Sequence, residues 1–176
     1  MDTHHDSAIG ILGGGIGGVT AALALHRAGC AVRVFEQTSR YARVGADINL
    51  TPNAVRALDG LGIGTALRRT AARPRYRISR LWDTGEETSR LPMAEAAERQ
   101  YGAPQLTLHR ADLLAALEEA VPPEAIELGR RAVSVSQEGD TATIHFADGR
   151  EARLAALVGA DGIHSVARTA LHGEEH

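Results

Sequence analysis

The sequence predicts an α/β fold: a parallel sheet with helices, a β-meander crossing over it, and a projecting β-hairpin. Three observations carry that expectation. The first forty residues run apolar strand, glycine-rich turn, helix, apolar strand. Short β-rich runs then cluster between residues 126 and 154. Last, an apolar run from Leu154 to Val158 leads through Gly159-Ala-Asp-Gly162 into a helix.

The first strand is Ser7 to Leu12, short, apolar and β-branched. Gly13, Gly15 and Gly18 then fill the three glycine places of G-x-G-x-x-G, with Ile16 between them. Gly13 suits a tight turn out of the strand, Gly15 leaves room for a pyrophosphate, and Gly18 lets the helix approach the sheet. The helix spans about Gly17 to Ala28, and its N-terminal N–H groups and dipole favour an anion. Gly29 is its expected stop. Ala31 to Phe35 reads as the second strand, and Glu36 ends it where an acid accepts hydrogen bonds from a ribose. The order and spacing point to a dinucleotide. An acid at 36 would oppose a ribose 2′-phosphate, which favours FAD or NAD over NADP.

Thr51-Pro52 opens a helix to about Leu61, with threonine as N-cap, and Gly62 and Gly64 close it. A helical turn follows at Thr65 to Thr70. Tyr76 to Trp82 and Glu87 to Leu91 read as strands joined by Asp83-Thr-Gly-Glu86. Leu106 to His109 is a short strand, and Arg110 to Val121 is a helix stopped by Pro122-Pro123. Ile126 to Leu128, Ala132 to Gln137, Thr141 to Phe146 and Glu151 to Leu154 are strands, three of them forming a meander. Leu154 to Val158 fits a buried parallel strand, and the final helix spans Ser165 to Leu171.

At 176 residues, 44% of them hydrophobic, the chain can bury the core of one good-sized domain. A net charge of −3 and scattered arginines, with no lysine, point away from nucleic acid and anionic membranes. The histidines lack metal-ligand spacing, so no metal is expected. Cys30 reads as small buried core filler, and one cysteine fits a reducing cytoplasm. Met1 to Asp6 is polar and the next apolar run is broken by glycines, so no signal peptide is read. Val19 to Leu25 is too short to span a bilayer. A soluble, cytoplasmic protein is the expectation.

Three further segments narrow the class: Arg43-Val-Gly-Ala-Asp-Ile-Asn49, Leu108-His-Arg-Ala-Asp-Leu113 and Leu157-Val-Gly-Ala-Asp-Gly-Ile-His-Ser-Val-Ala-Arg168. With the glycine loop and Glu36, they resemble the flavin-dependent aromatic hydroxylases, the single-component FAD monooxygenases that include salicylate hydroxylases. The resemblance runs from Ile9 to Leu171 and implies a Rossmann-like FAD-binding fold. Asp83-Thr-Gly85, Ser89-Arg-Leu-Pro92, Arg99-Gln-Tyr-Gly-Ala103 and His109-Arg-Ala-Asp-Leu113 look most like the 6-hydroxynicotinate 3-monooxygenase group.

The resemblance implies that Glu36 and Gln37 hold the adenosine ribose, and that Arg43 and Arg110 approach the diphosphate and ribityl region. It places main chain near Ala132 and Val133 at the adenine. Asp161-Gly162 matches the family's second fingerprint, tied to FAD diphosphate and reduced nicotinamide, with Arg168 bracing Asp161 or its loop. It implies NAD(P)H as transient reductant, molecular oxygen, a flavin hydroperoxide, and a phenol-like or hydroxypyridine substrate. Plainer roles stand beside these. Arg110 can be a solvated helix start and Asp161 a helix cap. Trp82, Tyr76 and Tyr101 read as packing residues, and His109 and His164 as hydrogen-bonded structural histidines.

Two departures stand out. The family's Gly-Ala-Gly is Gly45-Ala46-Asp47 here, where an aspartate forced to a positive φ would strain the loop. The 6-hydroxynicotinate enzymes carry a histidine where this chain has Asn49, and an amide is no general base near neutral pH. No catalytic residue is therefore assigned. The family's second half, with its Gly-Asp-Ala motif and substrate walls, has no counterpart after Ala170. Residues 1–176 thus read as the FAD-binding domain and N-terminal half of a monooxygenase, the hairpin at 76–91 lying on the substrate side. Alternatives left open are a non-catalytic dinucleotide-binding remnant, or a half-protein that pairs with a second chain or dimerises. An NAD dehydrogenase fits only the first forty residues.

Overall fold

The structure is a computed structural model that describes residues 7–41 and 45–173. It is an α/β chain that divides into two compact units, Met1–Ala42 with Leu117–His176, and Arg43–Ala116.

The first unit is built on a parallel sheet. β1 (Ile9–Leu12) runs into α1 (Ile16–Arg27), which returns the chain to β2 (Val32–Phe35). β1 pairs with β2 on one side and on the other with a late strand, Ala156–Gly159. The two-residue strand Ile126–Glu127 extends the far side of β2, so the short run at 126–128 belongs to this sheet and not to the meander.

Strand alternation sorts the side chains into two layers. Ile11 faces Val34 across β1 and β2, both fully buried, and Ile11 lies against the Gly18 end of α1. Leu12 and Phe35 point to the opposite face. There they pack with Ile144, Phe146, Ala152 and Leu154 of the antiparallel strands Ala132–Glu138, Thr141–Phe146 and Glu151–Leu154. These three strands are the expected meander, and the Phe35 and Phe146 rings lie 5.2 Å apart. Gly10 shares this face. A Cβ there would run into the Leu154 side chain, so the missing side chain is the space that Leu154 fills.

The expected buried strand after Leu154 differs. Ala156–Gly159 is the edge of the sheet, with Ala156 and Gly159 exposed, because no further strand flanks it among the described residues. Cys30 is half-buried and not core filler, since the chain turns outward there between α1 and β2.

The second unit pairs Asp47–Leu50 antiparallel with Leu106–His109. Helices at Pro52–Gly60, Gly64–Thr70, Ala94–Tyr101 and the start of Arg110–Glu118 surround them. Leu50, Val55, Leu58, Leu67, Leu106 and Leu108 are buried in this unit. Thr51 is the N-cap residue before Pro52, but its hydroxyl donates to Asn53 Oδ1 at 2.5 Å and not to the helix backbone it was expected to satisfy. Gly64 opens the next helix and does not close the first. The helix at Ala94–Tyr101 escaped the sequence reading, although its Ala-Glu-Ala-Ala-Glu run is helix-forming.

The hairpin consists of Tyr76–Arg80 and Glu87–Pro92, with a register shift at Ser79/Arg80. Trp82 lies in its turn and is 95% exposed, while Tyr76 and Tyr101 are about half exposed at 51% and 53%. The expected packing is not met at Trp82, which projects from the turn, whereas the half-exposed Tyr76 ring lies 5.0 Å from the Arg90 guanidinium.

A charge cluster absent from the sequence reading joins the edge of the parallel sheet. Glu127 accepts from Arg33 Nη2 at 2.6 Å and Arg130 Nε at 3.0 Å, all three side chains being half-buried. Burial opposes ionisation of Glu127, but the two guanidiniums outweigh it and hold the carboxyl below its usual range. A carboxyl lowered on folding stabilises the chain above its unfolded range, and that contribution fades as pH falls through the folded value.

Two outcomes follow. Glu127→Gln should lower the thermal midpoint at pH 7, and the difference from the parent should close as pH falls below about 4. Leu154→Ala should cost about 2–5 kcal/mol in denaturant unfolding, since Leu154 is fully buried across both layers.

Candidate cofactor site

The strand order puts β1 at a switch point. The chain leaves its carboxyl end for β2 on one side and enters Ala156–Gly159 on the other. In open α/β sheets, ligands bind outside the carboxyl ends of the strands at such a point. The Gly13–Gly18 turn and the Gly159–Gly162 turn meet there. Gly13 has φ 104°, and a Cβ on it would overlap the Ala160 carbonyl and lie 2.9 Å from Asp161 Cα. Only glycine fits that backbone and that contact.

Gly18 is buried, and a Cβ there would collide with the Gly13 carbonyl and sit 3.3 Å from Ile11 Cγ2. The helix can therefore lie directly on the strand and its turn. Gly15 is different: a Cβ on it would meet nothing within 4 Å. That open space faces the start of α1, where Gly15 is the N-cap without a side-chain cap bond and Ile16 is the first helical residue. The orphan N–H groups of that first turn are free for an anion.

Glu36 stands at the end of β2, half-buried. Its Oε2 accepts from the Gly14 amide at 2.7 Å and its Oε1 from the Thr38 amide at 2.9 Å. Each oxygen keeps a lone pair for a further donor. The Glu36 carbonyl takes the Arg130 amide at 2.7 Å, and the Thr38 carbonyl takes the Gly129 amide at 2.8 Å. These bonds bring the approach to Ala132 beside the acid. Ala132 opens its strand at a register shift, with Val133 exposed. Gln37 is exposed next to Glu36.

Asp161 caps the final helix, Val166–His172. Its Oδ2 accepts the Val166 amide at 2.7 Å, and its Oδ1 accepts the Ser165 hydroxyl at 2.6 Å. Ser165 in turn takes the Arg168 amide at 2.9 Å, and Arg168 Nη2 donates to the Ile163 carbonyl at 2.9 Å, bracing the loop as expected. Gly162 is exposed at the tip.

In the second unit, Arg110 opens its helix, exposed, its amide bonded to the Ala46 carbonyl at 3.1 Å. A Cβ on Gly45, which has φ 127°, would lie 3.2 Å from Arg110 Cβ and Cδ. The positive φ thus falls on Gly45, and Asp47 is an ordinary strand residue paired with His109, so the expected loop strain is absent. Asn49 Oδ1 accepts the Thr107 hydroxyl at 2.6 Å. His109 Nδ1 accepts the Ala111 amide at 3.2 Å, which fits its expected structural role. Arg43 lies outside the described residues.

Sequence reasoning passed over two groups beside the glycine loop in the first unit, Tyr41 and Glu118. The Tyr41 hydroxyl is buried and has no hydrogen-bond partner among the described residues. Burial, then Glu118 and Glu36, raise the phenol well above its usual range, and burial raises Glu118. No motif marks either residue.

A glycine cradle with open space at Gly15, an acid at the second strand end and an orphaned hydroxyl all suit a dinucleotide. The family described as FAD binding domain matches residues 6–175. The chain belongs to that family. That family is described as binding FAD. The chain is 42% identical over 164 residues to 3-amino-4-hydroxybenzoate 2-monooxygenase of Streptomyces cremeus, covering 93% of this chain and 42% of the relative. It is 37% identical over 167 residues to 6-hydroxynicotinate 3-monooxygenase of Bordetella bronchiseptica, covering 95% and 44%. Klebsiella pneumoniae HpxO complexed with FAD and uric acid superposes with a TM-score of 0.84 at 26% identity, covering 96% of this chain and 43% of that one. The chain thus spans less than half the length of these relatives. Among the described residues, no helix is long and apolar enough to cross a membrane.

Glu118 gives this site a test. A carboxyl raised on folding costs stability once pH climbs past its unfolded range, and that cost is absent at low pH. Glu118→Gln should raise the thermal midpoint of the cofactor-free chain at pH 7, with the gain gone by about pH 4.

Proposed function

We propose that this chain is the FAD-binding part of an NAD(P)H-dependent flavoprotein monooxygenase that hydroxylates a phenol-like or hydroxypyridine ring. The single observation that carries the reading is the Glu36 carboxylate held on the Gly14 amide at the β1 switch point. The relatives' names, which specify hydroxylated aromatic and hydroxypyridine substrates, support the reaction class.

In this reading Glu36, with Gln37 beside it, accepts the hydroxyls of the adenosine ribose. Gly13, Gly15, Ile16 and Gly18 present backbone to the diphosphate, and main chain at Ala132 lies toward the adenine. Asp161 orients the Gly162 turn, which borders the same strand ends. The resemblance assigns Arg43 and Arg110 the role of permanent cations for the cofactor. FAD, reduced by a nicotinamide, supplies the oxygen chemistry, and the protein contributes orientation and exclusion of water. No side chain of this chain is assigned as acid or base.

A second reading, a half-protein that docks another polypeptide, is favoured by one observation. The hairpin exposes Tyr76, Ile78, Leu81, Trp82 and Leu91, an apolar set of the kind that marks interaction surfaces.

Fluorescence titration with FAD checks the first reading. Gly15→Val should weaken binding at least tenfold by filling the open space, and Glu36→Ala by a similar factor through loss of the ribose acceptor. Arg110→Ala should weaken it less. Parental affinity in all three would sink the assignments.

A further inference from the structure

Tyr41 lies in the polar segment that follows Glu36, and its hydroxyl is a buried polar atom without a partner among the described residues. Such a group is costly to leave unsatisfied, and native proteins rarely do so without a use for it. Its location is specific. A Cβ on Gly14 would strike the Tyr41 hydroxyl first, then Glu36 Cβ at 2.8 Å and Cγ at 3.1 Å. The hydroxyl therefore lies against the Gly14 backbone, in the place a side chain at 14 would take, beside the stem of the ribose-binding acid.

We propose that the Tyr41 hydroxyl is a ligand for the adenosine ribose of FAD, the third member of a subsite formed with Glu36 and the Gly14 amide. The inference rests on the FAD reading above. Glu36 is an acceptor only, while a vicinal ribose diol both donates and accepts. A neutral phenol can complement the diol in either sense. The phenol stays neutral here because burial and the carboxylates of Glu118 and Glu36 oppose its ionisation. In the free chain Glu36 is held on the Gly14 and Thr38 amides with its stem beside the hydroxyl, so binding must shift that stem to bring the diol within reach of Tyr41. The free chain keeps an unsatisfied donor that the bound cofactor satisfies.

Tyr41→Phe isolates the hydroxyl, since the ring and its packing remain. Titrations of parent and variant with FAD and with ADP, beside thermal melts of the cofactor-free proteins, test the idea. The expected result is a melting midpoint unchanged or raised, with affinity for both ligands about three- to tenfold weaker. Unchanged affinity for FAD would overturn the proposal, as would a loss for FAD without a loss for ADP, which would move the contact away from the adenosine. A lowered midpoint would also overturn it, because the hydroxyl would then have a partner in the free chain. Should the parent chain bind neither ligand, the FAD reading itself would fail, a result distinct from a variant that binds like the parent.

Discussion

The hydrogen bond from the Gly14 amide to Glu36, 2.7 Å long, is the interaction on which the functional part of the first unit depends. It fastens the turn leaving β1 to the end of β2, residues 22 positions apart in sequence. The turn can come that close only because Gly14 has no side chain, its place being taken by Tyr41 and the Glu36 stem. Gly13 and Gly18 add the same constraint on the other two sides, against Ala160 and against the turn itself. The result is a loop fixed by backbone contacts, with its open side at Gly15. Pre-organisation of this kind lets a phosphate be met by amide dipoles without first ordering the loop.

The rest of the first unit keeps that loop in place. The meander covers one face of the sheet through Phe146 and Leu154, while α1 covers the other through the face carrying Val19 and Leu23. The Arg33–Glu127–Arg130 cluster ties the short outer strand to β2, and the Gly129 and Arg130 amides fasten to the carbonyls of Thr38 and Glu36. The acid at 36 is thus held from both sides, by charge along the sheet edge and by main chain beyond it.

Much of this was legible in the sequence because it follows short-range rules. Strand, glycines, helix, strand and acid occur in a fixed local order, and the Glu-Gly-Asp and Asp-Gly turns announce the meander. Asp161 was legible as a helix cap. What stayed hidden depends on long-range contact. Glu127 reads as an ordinary surface acid until Arg33 of β2 and Arg130 of the loop before Ala132 converge on it. Tyr41 belongs to no motif, and only the Gly14 backbone shows where its hydroxyl lies. Trp82 illustrates the converse, since it reads as a packing residue and sits 95% exposed in a turn. Asp47 departs from the family pattern without strain because the left-handed position falls two residues earlier, on Gly45.

The central claim is that this chain, though it covers only 42% of a relative such as the Streptomyces cremeus enzyme, carries a complete enough site to hold FAD. The direct measurement is an absorption spectrum of the purified chain after incubation with FAD and passage through a gel-filtration column. The account predicts flavin bands that travel with folded protein in a fixed stoichiometry. Folded protein emerging without flavin would contradict it, and would mean that the strand-end cradle cannot retain the cofactor by itself.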